Sequence, residues 1–337
     1  MNPIAEGLEQ LGLTNVWTFL ALFLVASLLM IWRLEALLDH GLEGTALGTL
    51  VMPYCSGLGN LIFVSIIARQ HGPAKEVLTN CLVNNVTNLT FVLGVPALFW
   101  GLSLNAKAKA KKSSKGKGAS NAETEQKINR LSLLLTLAAV VFFSSATWAL
   151  GADGELDSGD GLVLVGLFLF WQCFQVFDVL KHNVRQRRSF GPLFYLDMFV
   201  VIVAAYALYE SIDWLVAWLS AQKTGFISAA NLGWLSGWLM VVPNALMAFY
   251  YAARRRADIA YASQVGDGHI CIPLCIGLSA LIQPLPVPKF FESGLIILIG
   301  AAVIHALCVL TAGGLPRWMG WPLLAAYAWF VGTGLLG

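Results

Sequence analysis

Ten apolar runs, each long enough to cross the hydrocarbon core of a bilayer, leave this chain almost no choice of fold. They occupy 17–38, 44–69, 76–102, 129–150, 160–181, 193–220, 226–253, 257–284, 289–313 and 317–336. About 20 residues of α-helix cover about 30 Å of hydrocarbon, and lipid offers no partner to an open backbone amide or carbonyl. Helices pair those groups internally, so an all-α polytopic membrane protein with ten transmembrane helices is predicted. Composition agrees: 58% of the residues are hydrophobic and 12% charged, with a mean hydropathy of +0.71, a balance foreign to soluble domains. Residues 1–11 carry no basic stretch and no small-residue cleavage site, so the first helix is expected to be retained rather than removed as a signal peptide.

The basic residues are unevenly placed. Of 21 Lys and Arg, 17 lie in or beside the connections 1–2, 3–4, 5–6, 7–8 and 9–10. The positive-inside rule puts those connections in the cytoplasm and both termini outside, in an integral plasma (inner) membrane protein. The 4–5 connection, GADGELDSGDG, is acidic and has no Lys or Arg, as befits an external loop. Residues 104–128 form a basic, low-complexity cytoplasmic linker, expected to face water or lipid headgroups, with docking of a protein partner as the alternative. The bilayer is the expected partner of the remainder, and no nucleic acid is expected. Trp32, Trp100, Trp214, Trp218, Trp318 and Trp321 near the span ends suit interfacial belts. The six cysteines fall inside apolar runs without metal-type spacing to His, and read as small buried side chains.

Two stretches, 54–98 and 241–281, repeat one layout at an offset of 183 or 184. Each is an apolar helix interrupted by small, Pro or Asn residues, then a polar corner, then a second apolar helix carrying polar side chains. Gly57, Gly59, Pro243, Gly266 and Gly268 are the expected helix breaks. Ala74, Gly94, Ala97 and Leu98 fall on Ala257, Gly277, Ala280 and Leu281, Asn84 on Asp267 and Asn88 on Cys271; the neighbouring offset puts Asn60 on Asn244 and Ala68 on Ala252. Five helices per half is an odd number, so the second half enters the membrane upside down. An inverted 5+5 repeat is predicted, with halves 1–181 and 182–337.

These residues carry a resemblance to the alpha repeats of the sodium/calcium exchanger membrane region, in the calcium:cation antiporter superfamily. That family reads GTSLPE, a basic-Gly corner, then GNVVGSNIFN and an apolar run ending in Leu-Gly. Ser56, Gly57, Leu58, Gly59 and Asn60 stand where TSLPE would, and Val242, Pro243 and Asn244 where LPE would. Val83 to Asn88 stand for GSNIFN, and Gly266 to Cys271 for its second copy. The resemblance implies helices 2, 3, 7 and 8 around a central site, with alternating access by sliding of helices 1 and 6. It also places amides, Asn60 and Asn244, where the family has its calcium-binding glutamates, and Asn84, Asn88, Asp267 and Cys271 at the remaining ligand positions.

Calcium takes six to eight oxygens, and tight sites include several carboxylates. Here the matched positions supply one, Asp267. Asn60, Asn84, Asn88 and Asn244, with carbonyls near Gly57, Gly59 and Pro243, could coordinate a monovalent cation or bind a small polar solute. Asn85 is expected to pack between helices, while Asn80 and Thr87 extend the polar stripe of helix 3. A carboxylate at the bilayer centre costs about 2.5–3.5 kcal/mol on insertion scales, which marks Asp267 as a ligand or proton carrier. His269 could assist only if 266–268 distorts the helix, because two residues turn it about 200° away. His305 is expected to pack, and Glu210, Asp213, Arg33, Glu35 and Asp39 to form interfacial ion pairs or gating contacts.

No Gly-x-Ser-x-Gly elbow, His-Glu-x-x-His, Walker A loop or Cys-x-x-Cys-His motif is present, and the loops are too short for a catalytic domain. The chain therefore reads as a secondary active transporter of the cation antiporter type and not as an enzyme. It has no expected cofactor, and Na+, K+ or Ca2+ is the candidate cargo. Proton-coupled movement of a monovalent cation or small polar solute through Asp267 is the leading expectation. Cation/calcium exchange on amide and carbonyl ligands, and a non-transporting scaffold or partner subunit, are the alternatives.

Overall fold

The computed structural model describes residues 3–37, 57–104, 118–183 and 191–335. A short helix, α1 (Pro3–Gln10), precedes α2 (Val16–Leu37) and α3 (Leu58–Arg69). The third span is composite: α4 (Lys75–Thr87) passes through a π-turn, Asn88–Val92, into α5 (Leu93–Trp100). Then come α6 (Gly118–Leu150), α7 (Ser158–Asn183), α8 (Pro192–Ala221) and α9 (Leu232–Ala253). The eighth span copies the third, with α10 (Ala257–Ile270), a π-turn at Cys271–Cys275, and α11 (Ile276–Ile282). α12 (Phe291–Ala312) and α13 (Gly320–Leu335) complete the bundle. Among the described residues eight helices are long and apolar enough to cross a membrane; α3 is shorter, and residues 44–56 of its predicted span lie outside the described residues.

Two small ribbons reveal how the halves are related. β1 (Leu102–Ser103) pairs antiparallel with β4 (Gly314–Leu315), and β2 (Glu155–Leu156) with β3 (Leu285–Pro286). α12 runs between β3 and β4, and its 22 residues extend about 33 Å at 1.5 Å per residue. The ribbons therefore stand at opposite ends of the bundle. β1 follows the third span and β3 the eighth, 183 positions later, so equivalent points of the two halves face opposite ways. The repeat is inverted.

Local chemistry repeats the same relation. α3 and α9 end in one kind of turn, with His71 and Arg255 at φ 49° and 61°. Gly72 N–H bonds to Ile67 O at 2.9 Å and Arg256 N–H to Tyr251 O at 2.8 Å, the reverse bond that closes a helix on a left-handed residue. Glycines let the halves touch backbone to backbone: a Cβ on Gly320 would lie 2.6 Å from Gly94 O, and one on Gly161 2.7 Å from Gly277 O. Lipid gives no hydrophobic drive between helices, so such close approach and its van der Waals contact hold the bundle together.

Burial separates centre from periphery. The spans Lys75–Trp100 and Ala257–Ile282 are each 78% buried and Ala229–Ala253 is 56% buried, against 22% to 39% for the other membrane-length helices. α2 and α8 pair with each other on the outside, through Phe19 stacked on Trp214 at 4.1 Å and Arg33 Nη1 on Asp197 Oδ1 at 3.0 Å. Asp213 of α8 also meets Arg69 and Gln70 at the end of α3. Arg33 and Asp213 are thus each ion-paired, with Asp197 and Arg69 respectively; Asp39 lies outside the described residues.

Three of the predicted helix breaks, at Pro243, Gly266 and Gly268, are absent. α9 runs unbroken through Pro243, and α10 through Gly266 and Gly268. A proline removes one backbone donor, and the packed neighbours of α9 hold its axis on both sides of that gap. Gly268 serves closeness instead, since a Cβ there would come 2.9 Å from Val140 Cγ2 and 3.2 Å from Asn85 Oδ1. Gly57 caps α3 and Gly59 lies in its first turn, where a Cβ would meet Met240 Sδ at 2.7 Å. The true departures from the α ladder are the two π-turns. The linker is also shorter than predicted: α6 begins at Gly118, because Ala119, Ala122, Glu123, Glu125, Gln126 and Lys127 are good helix formers. Residues 105–117 lie outside the described residues.

Candidate functional site

Asp267 is fully buried, on α10, at the crossing of α4, α9 and α10. Its Oδ2 accepts a hydrogen bond from Asn244 Nδ2 of α9 at 2.6 Å and another from Asn88 Nδ2, the first residue of the π-turn after α4, at 3.2 Å. Asn88 Nδ2 also reaches Asn84 Oδ1, at 2.8 Å. Four residues predicted from the two repeats therefore form one connected cluster. Its order has a simple origin: Asn84 and Asn88 are one helical turn apart and share a face. The π-turn that begins at Asn88 then re-aims the rest of that span.

The cluster is buried and polar, and it is incompletely paired. Asn84 and Asn88 are wholly buried, and Asn60 and Asn244 are nearly so. Among the described residues, Asn60 Oδ1, Asn84 Nδ2, Asn88 Oδ1 and Gln264 Oε1 are buried without a hydrogen-bond partner. Each such atom costs about 1–3 kcal/mol, so a set of them in one place marks a site built to receive something polar.

Asn60 stands across a cavity from Asn244. The space is about 30 Å3, near the middle of α2, α8 and α9, and is walled by Ser27 and Met30 of α2, Leu208 of α8, and Met240 of α9. It holds about one or two waters, or a dehydrated ion. Asn244 lines the cavity and also bonds to Asp267, so this one amide connects the space to the carboxylate.

Other candidates separate from the cluster. α10 is regular through 266–268, so His269 is turned about 200° from Asp267; its ring nitrogens are buried without a partner among the described residues. Cys271 opens the second π-turn as a buried free thiol, one helical turn from the free thiol of Cys275. Asn85 donates back along its own helix to Cys81 O at 2.7 Å, and its Oδ1 faces Gly268 of α10. Thr87 turns back onto Val83 O of its own helix at 2.6 Å, and Asn80 bonds Ser236 Oγ of α9 at 2.9 Å, so neither joins the cluster around Asp267. His305 is buried and bonded at both ring nitrogens, to Tyr261 and to Leu89 O.

Sequence reasoning missed two contributors. Gln264 is buried and donates to Asn244 O at 3.0 Å, steadying the residue that faces Asp267; its signal was an amide one turn before the carboxylate. Ser27 is buried and lines the cavity, but a lone Ser in an apolar helix carries no such signal. Among the described residues no group of three or more His, Cys, Asp or Glu side chains is disposed to hold a metal ion.

An inverted helical repeat with a buried polar cluster at its centre defines a secondary transporter of the cation antiporter fold, not an enzyme. The chain belongs to the sodium/calcium exchanger protein family, whose model matches residues 13–177 and 192–335. Similar solved structures include the sodium-calcium exchanger NCX_Mj soaked with 10 mM Na+ and zero Ca2+, at 17% identity, covering 92% of this chain and 94% of that one with a TM-score of 0.63. The same exchanger soaked with 2.5 mM Na+ and 10 mM Sr2+ matches over 97% of this chain and 98% of that one, at 17% identity and a TM-score of 0.61. No curated protein sequence matches the chain significantly.

Proposed function

We propose that this chain exchanges a monovalent cation for protons across the plasma membrane, with Asp267 binding one or the other. The supporting observation is the cluster's charge: Asp267 sits among Asn88, Asn244 and Asn84, and among the described residues no second carboxylate hydrogen-bonds into it. One negative charge is neutralised by one monovalent ion or by one proton, whereas a divalent ion would keep uncompensated charge in a low-dielectric region. Cation and proton compete for the same oxygens, and that competition couples their movements. The Oδ1 atoms of Asn60 and Asn88 are acceptors suited to complete a cation's shell. A cavity of about 30 Å3 favours a dehydrated ion over an organic solute.

On this reading, sliding of the α2 and α8 pair past the central helices exposes the cluster to each side in turn, as the family resemblance implies. The excess of Lys and Arg in alternate connections supports termini outside the cell. In proteoliposomes a pH gradient is expected to drive cation uptake, and Asp267→Asn to abolish it. Normal pH-coupled flux in that variant would sink the mechanism. The second reading, exchange involving calcium, is favoured by the family itself. Calcium-dependent thermal stabilisation with a micromolar midpoint would support it over the first.

A further inference from the structure

The two π-turns are equivalent in position and unlike in cause. The second, Cys271–Cys275, contains Pro273, which has no N–H for the carbonyl of His269, so the α ladder lacks a bond there that a slip can accommodate. Thr90 occupies the equivalent place in the first, Asn88–Val92. It has an N–H, and its hydroxyl merely bonds back to Val86 O. No proline lies within the first turn itself; Pro96 of α5 removes only the donor to Val92 O and leaves the Leu93 amide free to reach Leu89 O.

Something else holds it. In a continuous α-helix the Leu93 amide would bond to Leu89 O, but it bonds to Thr90 O instead. Leu89 O is taken by His305 Nε2 of α12, at 2.7 Å. A carbonyl only accepts, so Nε2 carries the proton, and Nδ1 accepts from the Tyr261 hydroxyl of α10 at 3.2 Å. The Tyr261 and His305 rings meet edge to face at 5.5 Å, both fully buried. Leu89 directly follows Asn88, whose amide faces Asp267.

We infer that His305 is a positioning residue of the ion site: oriented by Tyr261, it competes with the Leu93 amide for the Leu89 carbonyl and so keeps the first π-turn open. Without it the Leu93 amide can return to Leu89 O, the turn closes to α, and Asn88 rotates away from Asp267. The role at the site rests on the proposed function; the effect on the turn does not.

Two measurements on the full chain in lipid nanodiscs and proteoliposomes test this. In His305→Leu, amide hydrogen exchange should change at 88–93 and stay as in the native chain at 271–275. The half-saturating cation concentration should rise about tenfold, equivalent to about 1.4 kcal/mol, with the maximal rate within about twofold because the carboxylate itself and its Asn244 donor remain. His305→Gln keeps an N–H donor and should restore both readouts; it also guards against a leucine variant that misfolds. Unchanged exchange at 88–93 in His305→Leu would overturn the clamp. So would equal loss of protection at both π-turns, which would mean general loosening. If Asp267→Asn transports normally the cation reading falls, while the exchange comparison still decides the clamp.

Discussion

The bond from Asn244 to Asp267 is the most exposed point of the proposed site to experiment. At 2.6 Å it is the shorter of the two amide bonds to Oδ2, and it joins the second repeat to itself; the Asn88 bond is 3.2 Å and shared with Asn84. A hydrogen bond to a charged group contributes about 1.5–3 kcal/mol net, which is about 10- to 150-fold in a binding constant. Asn244→Leu conserves volume approximately but removes the donor on Asp267 and a polar side chain from the cavity lining. Its main-chain bond from Gln264 is retained, so α9 and α10 should stay docked. The expected result is a cation affinity about 10- to 100-fold weaker, toward the low end of that range for Asn88→Leu because its bond is longer and divided. Thermal melting as a function of Na+ and K+ concentration measures this directly, as a shift of the midpoint for ion-dependent stabilisation. A midpoint within twofold of the native protein for Asn244→Leu would refute the assignment of this amide to the site. A larger effect for Asn88→Leu would refute the ranking by geometry.

Two further outcomes concern the scaffold. Gly161→Ala puts a Cβ 2.7 Å from Gly277 O and 2.8 Å from Leu281 N, both backbone atoms that cannot step aside; it should destabilise by about 1–3 kcal/mol. Gly300→Ala, with nothing within 4 Å, should change stability by no more than about 0.5 kcal/mol, and equal melting shifts for the two would discredit the helix contact. Arg69→Ala breaks the ion pair to Asp213, whose side chains are 55% and 20% exposed. Solvent screening limits its worth to about 1 kcal/mol, and a loss above about 2 kcal/mol in equilibrium unfolding would show a deeper role for that contact.

Legibility in the sequence followed the range of each interaction. Spans such as Phe291–Ala312 and Pro192–Ala221 were readable to within a few residues, because an apolar run bounded by loops reports the bilayer. The offset of 183 was readable from small residues such as Gly94 and Gly277, which now appear in matching helix contacts. Helix breaks were misread at Pro243 and Gly268. Both residues weaken a helix locally, but neighbours that pack against α9 and α10 decide whether it breaks. The π-turn at Asn88 had no readable signal, since the groups that hold it open, His305 and Tyr261, are 217 and 173 residues further along the chain. His269 was attractive beside Asp267 in sequence and is turned away from it on a regular helix.

The sequence by itself determined that this is an inverted bundle of membrane helices with one carboxylate among amides at its centre. Lipid leaves the backbone no alternative to helices, and a buried charge is too costly to lie at mid-membrane without purpose. Only the tertiary structure decided which amides meet that carboxylate: Asn88 and Asn244 reach Oδ2, while Asn60 stays across the cavity. Hydrogen bonds depend on tenths of an ångström, and those are set by how helices from opposite halves cross. No local pattern along the chain encodes that crossing.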